Sequence, residues 1–154
     1  MKIKPISIDT GSFISTLRNR VENQMAEKRI SGEWTSETPS LFADEDLMLR
    51  AVSNILSNAV RHTDAGGKLS VAVRRDEHGY AVAVFNTGEA IPAVEIEKMF
   101  QRLYRGEYAR KTPGSGLGLT IALRIAELHL GTVTIESSKD PGTTVTVHIK
   151  DFSM

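Results

Sequence analysis

Apolar residues recur along the chain with two different spacings. From Asp9 or Thr10 to about Arg29, Phe13, Leu17, Val21 and Met25 stand four apart, which predicts a helix with one buried face. Asp9 or Thr10 supplies the cap for its start. RISGEWTSETPS mixes Gly, Pro, Ser and Thr, so a short strand near Ile30 to Trp34 and then a loop are expected. A second helix is predicted from Asp44 to about Thr63, where DAGG breaks it. The spacing then changes to two. Leu69, Val71 and Val73 alternate with smaller or polar residues, and after a turn at DEHG comes YAVAVFN, a second strand. IPAVEIEKMF predicts a short helix, QRLYRGEYARKTPGSG a long charged loop, and SGLGLTIALRIAELHL a third major helix left at Gly131. TVTIES and TTVTVHI are two final strands joined by KDPG. Hairpin-linked strands with three major helices predict an α+β layer, helices on one face of the sheet.

Composition narrows the class. A chain of 154 residues with 40% hydrophobic and 25% charged positions suits one compact domain with an ordinary core. Nineteen basic residues balance nineteen acidic ones, which removes the simple electrostatic case for a nucleic-acid or anionic-membrane partner. The absence of Cys excludes disulfide scaffolds, thiolate zinc sites and Cys nucleophiles. No apolar run approaches the roughly 20 residues that span a bilayer, and MKIKPISIDT lacks the apolar core of a signal peptide. A soluble globular domain is expected.

The second helix carries the first chemical signal. Asn54, Asn58, Arg61 and His62 share one face at i, i+4, i+7 and i+8, beside an apolar face of Met48, Val52, Ile55 and Ala59. A neutral amide can ligate Mg²⁺ through its oxygen without burying a charge. On helix geometry alone, two solvated asparagines on a helix flank fit equally well. Gly114, Gly116 and Gly118 enter the third helix, where glycines admit a phosphate to backbone amides; a hinge with a tight helix–sheet contact is the alternative. The phosphate-loop pattern GxxxxGK followed by Ser or Thr is absent. Asn86, Thr87 and Gly88 end a strand, and alternation puts Asn86 on the face of Tyr80, Val82 and Val84. If that face meets the helices, the Asn86 amide oxygen can accept from an amino group such as that of adenine. An Asn-Gly turn would look the same. Arg102, Arg105 and Arg110 in the charged loop suit a γ-phosphate, although surface arginines on such a loop are far more often simply solvated.

The order of these features is more specific than any one of them. N-x-x-x-N-A on a helix, strand-N-x-G-x-x-I-P, F-x-R-x-Y-R in a loop and G-x-G-L-G-L opening a helix resemble the catalytic ATP-binding domain of sensor histidine kinases. The wider resemblance, from about Phe42 through Ile149, is to the superfamily shared with DNA gyrase B and Hsp90. It implies a Bergerat-type α/β sandwich over 1–154: a mixed sheet of about five strands, about three helices on one face, and a flexible ATP lid near 100–115. It implies ATP and Mg²⁺ as ligands, with Asn58 on the metal and Asn54, Arg61 and His62 beside the phosphates. Phe100, Arg102 and Arg105 match the lid box whose arginines face the γ-phosphate. Asn86, Gly88 and Ile91 fall at the adenine. Gly114, Ser115, Gly116, Leu117, Gly118 and Leu119 form the second glycine box, and Gly142 with Thr143 and Thr144 resembles the family's G-T-x-F strand start, with Thr144 at the ATP. Asn54, Arg102 and Arg105 are the implied catalytic residues.

The implied activity is transfer of the γ-phosphoryl to a histidine on the dimerisation helices of a full-length homodimeric kinase. A response regulator acts downstream, with no nucleic-acid partner. NAVRHT, LYRGEYAR and ELHLGTV are most similar to heavy-metal-type membrane sensor kinases, which implies a cytoplasmic domain of an inner-membrane protein, itself not membrane-inserted. None of His62, His78, His129 and His148 has the family's phospho-acceptor context, so the acceptor is expected elsewhere. Gyrase-type relatives place a carboxylate where Asn54 stands; an amide cannot act as a base, which favours kinase over ATPase. The first glycine box, usually D-x-G-x-G, reads Asn86-Thr87-Gly88-Glu89-Ala90, and Leu130-Gly131 supplies one glycine where the third box usually has two. Those departures keep a weakly active nucleotide-sensing module open as an alternative.

Overall fold

The structure, a computed structural model, describes residues 2–97 and 117–152. Among them the chain forms β1 (Ile6–Asp9), α1 (Thr10–Lys28), β2 (Ser31–Ser36), β3 (Ser40–Ala43), α2 (Glu45–His62), β4 (Lys68–Arg75), β5 (Gly79–Asn86), α3 (Leu117–Leu128), β6 (Thr132–Ser137) and β7 (Thr143–Lys150). Residues 93–97 are also helical. Five strands make one mixed sheet in the order β2-β4-β5-β7-β6. β2 runs parallel to β4 and the other neighbours are antiparallel. The three helices pack on the face that carries the buried aliphatic residues, as expected.

A small second sheet was not expected. β1 and β3 pair antiparallel from Ile6 opposite Ala43 to Asp9 opposite Ser40. Each has only four residues, too few for alternation to stand out among the flanking Ser, Thr and Pro. The expected loop after Trp34 is accordingly shorter than the sequence suggests.

The helices start and stop where side chains can satisfy their free backbone groups. The Asp9 carboxylate accepts the Ser12 amide at 2.8 Å, and Arg29 closes α1 in the left-handed conformation at φ 56°. Asp44 caps α2 through the Leu47 amide at 3.2 Å. Glu45 and Asp46 in its first turn and Arg61 and His62 in its last complement the helix dipole. The buried face of α2 is wider than the four-residue spacing implies, taking in Ala51, Leu56 and Val60 as well. The cause is position: α2 packs against α1, α3 and β5 at once.

His129, just past α3, is fully buried. Its Nδ1 lies 2.8 Å from the Ile125 carbonyl oxygen, and its Nε2 lies 3.1 Å from the Asp44 amide. A carbonyl only accepts and an amide only donates, so Nδ1 carries the proton and Nε2 accepts. The ring therefore joins the end of α3 to the cap of α2, with Phe152 edge-on at 6.4 Å. At the same end of the sheet, where Lys150 pairs with Gly79 and donates to the His129 carbonyl, the β4–β5 turn is closed by Asp76, whose Oδ1 accepts the His78 and Gly79 amides at 2.8 and 3.0 Å. Those amides, His78 first, hold the Asp76 carboxyl below its ordinary value.

Two stability measurements follow from these contacts. His129→Ala leaves a cavity and strands the Asp44 amide, so unfolding free energy in urea should fall by about 3 kcal/mol. A loss under about 1 kcal/mol would contradict the bridge. For Asp76 the folded-state pKa is depressed, so its contribution is present above the ordinary Asp range and disappears as pH falls through the lower folded value. The stability gap between wild type and Asp76→Asn should therefore close as pH drops below about 4.

Candidate functional site

The inner face of the sheet is aliphatic in its middle rows and polar in its last one. Val73, Val82, Val147 and Val133 lie side by side across four strands, as do Val71, Val84, Val145 and Ile135. The row at the end of β5 reads Leu69, Asn86, Thr143, Ser137. Above it the last turn of α2 brings Asn58, Arg61 and His62. Between helix and sheet opens a cleft of about 680 Å³, a size that accepts a nucleotide-sized ligand.

Three contacts shape the walls. Arg61 donates from its guanidinium to Asn58 Oδ1 on the same helix face. Lys28 Nζ donates to the Val60 and Arg61 carbonyls at 3.0 Å each, so α1 holds the end of α2 that carries the basic groups. Asn86 Nδ2 donates to the Thr87 carbonyl at 3.0 Å. That bond fixes which way the amide faces. Asn86 Oδ1 accepts nothing among the described residues and is the atom left for a ligand with a donor.

Two glycines permit the close backbone approaches that close the floor. Gly88, at φ 143°, sits where a Cβ would come 2.7 Å from the His62 carbonyl oxygen. Gly142, at φ 154°, sits where a Cβ would come 2.3 Å from the Asn86 carbonyl oxygen. Both the steric room and the positive φ demand glycine.

Of the residues singled out from sequence, Asn58, Arg61, His62, Asn86, Ile91 and Leu119 line this cleft together. Asn54 is half-buried one turn back on α2 and does not line it; Gly88 packs behind the lining. Thr144 lies on the opposite face of β7, and its neighbours Thr143 and Val145 face the cleft instead. A one-residue offset in a strand reverses the face, and the run Val145, Val147, Ile149 held the signal for it. Leu117 and Gly118 begin α3. Phe100, Arg102, Arg105, Arg110, Gly114, Ser115 and Gly116 lie outside the described residues.

The lining also includes Asp64, Glu89 and Glu95, exposed carboxylates that no sequence pattern marked. The walls thus differ chemically. The end of α2 offers the basic side chains Arg61 and His62, which suit phosphates, while Ile55, Ala59, Val145 and the Asn86 amide offer an uncharged space that suits an aromatic base. Among the described residues no group of three or more His, Asp or Glu could hold a metal by itself.

Known proteins are similar to this chain in sequence and in fold. The family model described as histidine kinase-, DNA gyrase B-, and HSP90-like ATPase matches residues 43–152. The chain is 39% identical over 121 residues to the sensor protein CzcS of Cupriavidus metallidurans, covering 77% of this chain and 24% of that protein. It is 34% identical over 127 residues to the sensor histidine kinase RppB of Synechocystis, covering 81% and 28%. The catalytic domain of histidine kinase ThkA in a nucleotide-free form shares the fold, with a TM-score of 0.83 at 22% identity over 97% of both chains. The chain spans about a quarter of the length of these two sensor proteins.

The glycine contacts generate a direct check. Gly142→Ala should destabilise the fold by about 2 kcal/mol or more, through overlap with the Asn86 carbonyl and a strained φ. Gly66→Ala, with a positive φ but nothing within 4 Å of its Cβ, should cost only the conformational part, about 1 kcal/mol. Equal midpoints for the two variants in chemical denaturation would show that the close approach at Gly142 is not a constraint.

Proposed function

Since the chain belongs to the family of histidine kinase-, DNA gyrase B- and HSP90-like ATPases, we propose that its cleft binds Mg²⁺-ATP and presents the γ-phosphoryl to a histidine of a sensor kinase. The observation that carries this reading is the single cleft in which Asn58, Arg61 and His62 on α2 face Asn86 on the sheet. Asn86 Oδ1 accepts from the exocyclic amino group of adenine. Arg61 and His62 donate to phosphate oxygens, and Arg102 and Arg105 are assigned to the γ-phosphate from the lid. Asn54 orders the phosphate end from the preceding turn.

Mg²⁺ fits the residues present. Asn58 offers one neutral amide oxygen on the cleft wall, and Mg²⁺ is usually held by few protein oxygens plus phosphates and water. Arg61 occupies one lone pair of that oxygen and leaves the other for the metal. When bound, the ion supplies charge neutralisation across the phosphates. The protein's own part is positioning: a histidine nitrogen forms the new N–P bond while the bond from phosphorus to the bridging oxygen breaks and ADP leaves.

In this reading the acceptor histidine lies on the dimerisation helices of the full-length homodimer, and a response regulator receives the phosphoryl group. Support comes from the relatives named sensor histidine kinase RppB and sensor protein CzcS. Among the described residues no helix is long and apolar enough to cross a membrane; we assign this domain to the cytoplasmic side of a membrane sensor. An amide at Asn54 lacks the basicity to activate water, which favours phosphoryl transfer over hydrolysis.

Calorimetric titration with ATP and with GTP, each with and without Mg²⁺, tests the reading. Adenine-selective binding strengthened by Mg²⁺ is expected, and Asn58→Ala should lower Mg²⁺-ATP affinity by about tenfold or more while the fold persists. Unchanged binding by Asn58→Ala would remove the metal assignment, and no binding by the wild type would remove the nucleotide.

A further inference from the structure

Ser137 closes β6 and is the last member of the polar row Leu69, Asn86, Thr143, Ser137. It does not line the cleft, but it touches two residues that do. Its Oγ accepts the Ile91 amide at 2.8 Å and lies 2.6 Å from Thr143 Oγ1. We infer that Ser137 is a positioning residue for the base end of the cleft, holding the 88–92 loop over Asn86 and directing the Thr143 hydroxyl. This assignment rests on the nucleotide reading above.

The loop shows why one hydroxyl carries so much. β5 ends at Asn86, and residues 93–97 are already helical. Thr87 is tied to Lys68 by its amide and its hydroxyl. Beyond it, among the described residues, the hydrogen bond that joins 88–92 to the rest of the fold is the one from the Ile91 amide to Ser137. The helical bonds of Glu95 and Ile96 run back to Pro92 and anchor nothing outside the segment. Without Ser137, no hydrogen bond among the described residues joins Ile91 to the sheet.

Proton counting gives the second half of the role. The Ile91 amide takes one lone pair of Ser137 Oγ, which leaves one lone pair and one proton for Thr143. If Ser137 donates, the Thr143 proton is free to point into the cleft. If Thr143 donates, its lone pairs face the cleft instead. The pair can therefore meet either a donor or an acceptor on a bound base. Asn86 cannot, because the Thr87 carbonyl holds its Nδ2 and leaves Oδ1 to the ligand. Asn86 thus selects the base, and the Ser137–Thr143 pair adapts to it and adds affinity.

The test compares Ser137→Ala and Ser137→Thr with wild type, using ATP and ADP titrations and hydrogen exchange at the Ile91 amide without nucleotide. Ser137→Ala should remain folded by circular dichroism, lose Ile91 protection, and weaken ATP and ADP by the same factor, about fivefold to tenfold. An equal factor for the two nucleotides places the defect away from the γ-phosphate, in the part that ATP and ADP share. Ser137→Thr keeps the hydroxyl and should stay within about twofold of wild type. Unchanged affinity in Ser137→Ala, or a loss confined to ATP, overturns the role while leaving the nucleotide reading intact. If the wild type binds neither nucleotide, the nucleotide reading falls and the role of Ser137 falls with it, even where Ile91 protection still reports the tether.

Discussion

Helix α2 is held at both ends by side chains from other elements. At its start the buried imidazole of His129 accepts the Asp44 amide, while the Asp44 carboxylate caps Leu47 and takes the Lys4 amide at 2.9 Å. At its end Lys28 satisfies two carbonyls of the last turn. In between, its apolar residues fill the space between α1, α3 and the sheet. A helix clamped in this way can neither slide nor rotate without breaking hydrogen bonds in three elements. The residues on its last turn are therefore delivered to one place, and the cleft exists because that place is above the end of β5 and not above its middle.

The sheet supplies the complementary half. One full row of Val, and the Val71 and Val84 half of the next, bury against the helices, while Val145 and Ile135 line the cleft; none of them carries a polar side-chain atom that needs a partner. The next row changes chemistry: Asn86, Thr143 and Ser137 bring amide and hydroxyl groups that a packed core would leave costly. They are tolerated because a cleft, in place of packed side chains, lies between them and the last turn of α2. No side-chain nitrogen or oxygen fully shielded from solvent lacks a partner among the described residues; this polar row bonds within itself and to the loop above, and leaves Asn86 Oδ1 open to the cleft.

Much of this was legible in the sequence. The spacing of Phe13, Leu17, Val21 and Met25 marked α1, and the Asp44 start and DAGG stop marked α2 to within a residue or two. Period-two alternation placed Asn86 on the inner face, which turned a turn-like Asn-Thr-Gly into a cleft floor. What the sequence did not yield depends on contacts between distant segments. His129 reads as an unremarkable helix-end residue until Asp44, 85 positions away, is packed against it. Ser137 is a strand-end serine until Ile91, 46 positions away, donates to it. β1 and β3 are too short to announce themselves, and within the Thr143-Thr144 pair it is the strand register that decides which hydroxyl lines the cleft.

The amide at Asn86 has no charge to gain or lose, unlike the carboxylate that usually opens this glycine box. Attraction that depends on net charge weakens as salt screens it, with a Debye length near ~8 Å at physiological ionic strength. In the nucleotide reading, cations at the end of α2 meet that screening and the base pocket does not. The ionic environment can then tune how firmly a nucleotide is held without altering which base is chosen, so that occupancy and selectivity belong to opposite ends of one cleft.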